Sequence, residues 1–180
     1  MPRCSSPWPT GSAATFPDAG EGAPVTQPAE VEYASQDYQD WLADLKATAL
    51  LQTHNQAQAI MRGVFQELRR HMGTEAVLGF ADSLPPLPRG IFLEKWRPAP
   101  PAPLASAGDF AASLAAHLAP HVIPPESAAA DVFAVLARHA GPARAAAMAA
   151  ALPAALLPLW PPQVPRSPPP PSYMRKGAAD

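Results

Sequence analysis

The chain reads as an all-α protein: two tandem, quasi-equivalent helical repeats share one core between disordered proline-rich ends. Three observations carry that reading. Apolar residues recur at helical spacing through the middle of the chain, while no alternating run rich in Val, Ile and Thr lasts more than a few residues. Of the 26 prolines, 17 fall outside the patterned segments, in residues 1–34, 97–103 and 161–180. Proline has no backbone donor and a fixed φ, so these stretches are expected to be tails and a linker in polyproline II or disorder.

The first helix is marked by Tyr38, Trp41, Leu42, Leu45 and Ala49, and the second by Ala57, Ile60, Met61, Val64, Phe65, Leu68 and Met72. Each set forms a single stripe on one helical face. Gly73 and Thr74 supply a stop and an expected N-cap for a shorter helix carrying Val77, Leu78, Ala81 and Leu84, which runs into Pro85. A short fourth turn should hold Ile91, Phe92 and Trp96.

The pattern then returns. FQELRRHMG at 65–73 aligns with FAVLARHAG at 133–141, 68 residues on, so that Phe65 meets Phe133, Arg70 meets Arg138 and His71 meets His139. Val64 and Leu84-Pro85 fall on Val132 and Leu152-Pro153, and one further residue places Asp40-Trp41 on Asp109-Phe110. The expected plan is about three helices plus a short terminal turn in each repeat. Repeat one covers about 38–96, the linker 97–107 and repeat two about 109–160, within a duplicated domain at 35–161 flanked by tails at 1–34 and 162–180. A unit of this size buries too little apolar surface alone, so the halves should depend on each other.

Composition narrows the function. A formal net charge of -2 provides no field to gather nucleic acid or anionic lipid, and neither partner is expected. The single cysteine, Cys4, permits no internal disulfide, which suits a reducing cytoplasm. Met1–Thr15 has no apolar core of a signal peptide, and the apolar stretch from Ala145 to Trp160 is broken by Pro153 and Pro158 and too short to span a bilayer. No HxxxH, CxxC or HExxH spacing, phosphate loop or nucleophile elbow occurs, so no catalytic residue, metal or cofactor is expected and the chain reads as a non-enzyme.

The run DSLPPLPRGIFLEKWRP at 82–98, with WLADL, AIMRGVFQELRRHMG, FAVLARHAG and ALPAALLPLWP, resembles the bacterial family catalogued as domain of unknown function 2267 over about residues 36–161. The resemblance implies a soluble duplicated helical domain with no assigned activity and no catalytic residues to carry over. PARAAAMAAALPAALLPLW in the second unit departs from the polar segment usual in the family.

Two clusters are candidates for binding. Arg89, Glu94, Trp96 and Arg97 join the residue types that most often anchor recognition surfaces, although Trp96 can equally fill the core and Arg89 or Glu94 cap helix ends. Arg70, His71, Arg138 and His139 occupy equivalent places and could converge on an anion between the repeats, against a plainer role as cations favoured at helix C-termini. Arg62, Arg69 and Arg70 read as a solvated helix face, and Asp40 and Asp44 as acids near the start of the first helix. His117 and His121 would share a face only if their helix passes Pro120. The tail SPPPPSYMRK could dock in an aromatic groove, but reads more simply as a solvated end. The leading expectation is an accessory module binding an unidentified protein partner, the alternative a small-anion-binding domain. Ala143, Ala146, Ala147, Ala150 and Ala151 form a smooth face, so the chain is expected to be a monomer or a weak homodimer.

Overall fold

The computed structural model describes residues 28–162; Cys4 and the SPPPPSYMRK segment lie outside them. The described residues form seven α-helices and a closing 3-10 helix, without a strand: α1 Ala29–Thr48, α2 His54–Arg70, α3 Thr74–Asp82, α4 Pro86–Leu93, α5 Ala107–Leu118, α6 Ala128–His139, α7 Pro142–Ala151, and the 3-10 helix Ala154–Leu159. None of the helices is long and apolar enough to cross a membrane.

α1 buries Tyr38, Trp41, Leu42 and Leu45 along one stripe. It begins at Ala29, so residues 29–34, expected in the tail, are helical. The burial pattern marks only the buried part of a helix; Glu30 and Glu32 in the first turn complement the dipole of the exposed part that precedes it. Leu50 takes a left-handed φ of 52° and turns the chain into α2. There the Thr53 hydroxyl accepts from the Gln56 amide at 3.2 Å, and the Gln56 side chain accepts from the Thr53 amide at 3.2 Å. This reciprocal pair satisfies two donors that a bare helix start leaves open.

α2 is the central element, packed against α1, α4, α5 and α6. Gly63 lets α5 approach closely: a Cβ there would lie 2.9 Å from Leu118 Cδ2 and 3.1 Å from Leu114 Cδ1. α3 corrects one expectation, for Gly73 is its N-cap, with no side-chain cap bond, and Thr74 is its first helical residue. Pro86 opens α4 where a missing N–H costs nothing, and the expected fourth turn is thus an eight-residue helix. α5 ends at Leu118, before Pro120, so His117 and His121 do not share a helical face.

One buried cluster runs from Tyr38 to Leu156 and includes Phe65, Phe80, Phe92, Phe110 and Phe133. Phe80 and Phe92 stack with centroids 5.0 Å apart, and Phe65 meets Phe92 edge-on at 5.4 Å. The contacts cross the middle of the chain: α1 lies on α6, α2 on α5 and α3 on α7. On α7, Ala145 and Met148 face the core while Ala143, Ala146, Ala147 and Ala150 are exposed.

Candidate functional site

Two buried or half-buried carboxylates organise the polar part of the molecule. On α1, Asp44 receives Arg138 through two bonds, Nε to Oδ2 at 2.9 Å and Nη2 to Oδ1 at 2.8 Å, while His139 Nε2 lies 2.9 Å from Oδ2. Arg138 Nη2 also donates to the Thr48 hydroxyl at 2.7 Å, and the His139 ring packs on Trp41 at 5.5 Å. Burial pushes the Asp44 pKa up, but the His139 and Arg138 hydrogen bonds outweigh it and bring the carboxyl down to about 2. Because α1 starts so early, Asp44 sits in its C-terminal part, where the dipole does not favour an acid. Its role is to hold α6.

The second carboxylate, Glu67 on α2, is 1% exposed. Arg70 Nη1 donates to Oε2 at 2.8 Å, and His71 Nε2 lies 3.1 Å from Oε1. Burial raises its pKa, and the Ser113 hydroxyl of α5 with Arg70 and His71 reverses the shift, to below the ordinary value. His71 Nδ1 lies 3.0 Å from the Ala102 carbonyl, and its ring packs on Phe110 at 6.1 Å.

The structure therefore gives the two Arg-His pairs separate carboxylates. Arg70 and His71 are held at Glu67, Arg138 and His139 at Asp44, and no bond among the described residues joins one pair to the other. Arg70, 58% exposed in its side chain, also lines a groove at the surface.

That surface lies beyond the end of α2. Arg69 donates to the Phe92 carbonyl, and through Nη2 to the Glu94 carbonyl at 2.9 Å, closing the C-terminus of α4. Burial lowers the Arg69 pKa, partly offset by the charge of Glu94. Arg62 forms an ion pair with Glu94. Arg62 and Arg69 thus belong to a tether between α2 and α4 rather than to a solvated face. Past α4, Lys95 takes a left-handed φ of 54°, uncommon for a residue with a Cβ. The linker then folds back until the Ala102 amide donates to the Arg70 carbonyl at 2.7 Å. Between these segments an open groove of about 260 Å³ is lined by Arg69, Arg70, Lys95, Trp96 and Arg97, with Ala99, Pro100 and Ala102 on the linker side.

Of the residues expected on an interaction surface, Trp96 and Arg97 line this groove. Glu94 is turned to Arg62, and Arg89 donates to the carbonyls of Ala81 at 3.0 Å, Asp82 at 3.2 Å and Leu84 at 3.0 Å, closing the end of α3. Arg69 and Lys95 were missed as groove residues, as were Glu67 and Asp44 as the carboxylates that organise the histidines. Glu67 did carry a signal: an acid inside the apolar stripe of α2, four residues before a histidine.

Such an arrangement can hold an anion. Four cations, Arg69, Arg70, Lys95 and Arg97, line the groove, and no carboxylate is among its lining residues; Glu67 and Glu94 are bound to Arg70 and Arg62. Neither Lys95 nor Arg97 forms an ion pair with another described residue. Among the described residues no group of three or more His, Cys, Asp or Glu side chains is placed to hold a metal.

No curated protein matches the chain. A family model described as an uncharacterized conserved protein, DUF2267, matches residues 38–159, from the buried stripe of α1 to the end of the 3-10 helix, and the chain belongs to that family.

Proposed function

We propose that the chain is a non-enzymatic accessory module of the bacterial cytoplasm, built from two units of one helical plan, which holds an acidic segment of a protein partner in the groove beyond α2. The observation that carries this reading is local charge. Four cations and no carboxylate line the groove, in a chain whose formal net charge is -2. Trp and Arg side chains anchor recognition surfaces more often than most. The concavity is open, and its volume of about 260 Å³ falls below the roughly 300–1,000 Å³ of pockets that enclose a small ligand. This favours a charged segment of a larger molecule over a free small anion.

The two-unit plan is supported by element order, with α1 to α4 mirrored by α5, α6, α7 and the 3-10 helix. It is also supported by a reciprocal contact: His71 packs on Phe110 and His139 on Trp41, each histidine on the first helix of the other half. Ser113 falls at the place corresponding to Asp44 and faces Glu67, so the carboxylate that α1 supplies to α6 in one half is supplied by α2 itself in the other. A non-enzymatic role is supported by the use of His71 and His139, both held by carboxylates and aromatic rings.

The test is titration of the full chain with hexa-aspartate, followed by amide NMR. Shifts should concentrate at Arg69, Arg70 and Lys95 to Ala102, and binding should be lost in the double variant Lys95→Glu, Arg97→Glu. Shifts scattered over the surface, or unchanged affinity in that variant, would overturn the assignment.

A further inference from the structure

We infer, on the reading of the groove given above, that the acidic segment it takes is the start of α1 of a second copy of the chain, each copy offering its α1 to the groove of the other. The first turns of α1 carry Glu30, Glu32, Asp37 and Asp40 and no Lys or Arg. Glu30, Tyr33, Asp37 and Asp40 recur every three or four residues, so three carboxylates and an aromatic ring share one helical face. Glu30, Glu32 and Asp37 are exposed and form no ion pair with another described residue, as is true of Lys95 and Arg97 in the groove. One chain therefore presents acids without counter-charges on one element and cations without counter-charges on another.

The apolar side of the same stretch is also uncovered. Val31, Ala34 and Tyr38 continue the stripe of Trp41, Leu42 and Leu45 toward the helix start. From Tyr38 onward that stripe is buried, whereas Val31 and Tyr33 are 52% and 54% exposed. Most of a helix's stability comes from packing its apolar face, and the turns before Tyr38 find little of that packing within their own chain. The groove matches both surfaces: Arg70, Lys95 and Arg97 suit the carboxylates, and Trp96 and Pro100 suit Val31 and Tyr33.

The fold places helix and groove together. α1 and α2 pack on each other and are joined by residues 49–53 alone, so they run antiparallel. The charge of Arg62 reaches Tyr38, and the residues before Tyr38 accordingly run toward the end of α2 that bears Arg69 and Arg70. Acids and groove lie at one end of the molecule. Being part of a continuous helix, the acids do not reach the groove of their own chain, and none of them lines it. An exchange between two such ends is reciprocal about a twofold axis, closes at two copies and makes each contact twice.

Light scattering behind gel filtration of the full chain at low ionic strength tests this. The mass should rise from 18.9 kDa toward twice that value between about 10 and 500 µM, and fall back when hexa-aspartate or salt is added. The double variants Glu30→Lys, Asp37→Lys and Lys95→Glu, Arg97→Glu change exposed side chains, and each alone should associate at least about tenfold more weakly. Mixed in equal amounts they should recover the dimer, because the reversed helix meets the reversed groove while the unaltered helix meets the unaltered groove. A constant monomer mass, association untouched by either reversal, or a mixture that stays monomeric would each overturn the inference. It would equally fall if hexa-aspartate entered the groove of a monomer only after Asp18→Lys, Glu21→Lys, which would make the chain's own N-terminal segment the occupant. The Glu30→Lys, Asp37→Lys variant keeps an intact groove: hexa-aspartate binding there beside a monomeric unaltered chain would overturn the second copy and leave the groove standing, and no binding there would overturn both.

Discussion

Replacing Asp44 by Asn removes one charge from the contact between α1 and α6 while keeping the shape of the side chain. Its carboxyl is brought from an ordinary 3.8 to about 2, so the ionised form is favoured in the fold by about 2 kcal/mol. A side-chain exposure of 27% leaves that figure only modestly screened. The depressed pKa fixes the direction: the contribution is fully present above about pH 4 and disappears as pH falls toward 2. Asp44→Asn should therefore lose about 2 kcal/mol at pH 7, because Arg138, 35% exposed, stays behind without a counter-charge. The difference from the unaltered chain should shrink to near zero at pH 2. Glu67 titrates in both proteins and cancels in the comparison. Urea unfolding followed by circular dichroism at pH 7, 4.5, 3 and 2 reads the effect directly. A loss below about 0.5 kcal/mol at pH 7, or a difference that does not change between pH 5 and pH 2, would refute the argument.

Glycine substitutions should separate two helix surfaces. Gly79→Ala, with nothing within 4 Å of the added Cβ, should gain about 0.5–1 kcal/mol from helix propensity, whereas Gly63→Val, facing Leu118 and Leu114, should lose more than about 2 kcal/mol, both by thermal or urea unfolding. Arg89→Ala should cost about 1–2 kcal/mol by uncovering three carbonyls at the end of α3, and Arg89→Lys should recover only part, as an ammonium cannot match the guanidinium fork. Residues 28–100 and 104–162 expressed separately should each lack a cooperative melt, because α1, α2 and α3 lie on α6, α5 and α7; a folded monomeric half would contradict the single core.

Helix positions were legible because burial leaves a period: Trp41, Leu42 and Leu45, or Ile60, Val64 and Phe65, declare a face whatever they pack against. The exposed first turns of α1 leave none, and its start was placed too late. Capping was read one residue late at Thr74, where Gly73 is the cap, and was missed at Thr53, although Thr followed three residues later by Gln before an apolar stripe is the signature of a reciprocal cap. The polar sites were hardest. That Arg138 meets Asp44 depends on α6 crossing α1, 94 residues apart in the chain, and no local pattern contains that information. Trp96 and Arg97 stood out by residue type, whereas Arg69 and Lys95 joined them only through the return of the linker to Ala102.

That return has a practical consequence. The segment between Arg97 and Ser106 has no helix, most of its residues are exposed, and it joins halves whose helices are laid across one another. Cutting the chain there removes one covalent connection but none of the α1–α6, α2–α5 or α3–α7 surfaces. The two fragments should remain bound through denaturant-free chromatography, and, mixed from urea, should reassemble as a complementing pair. A reporter divided at this point would read association through folding itself.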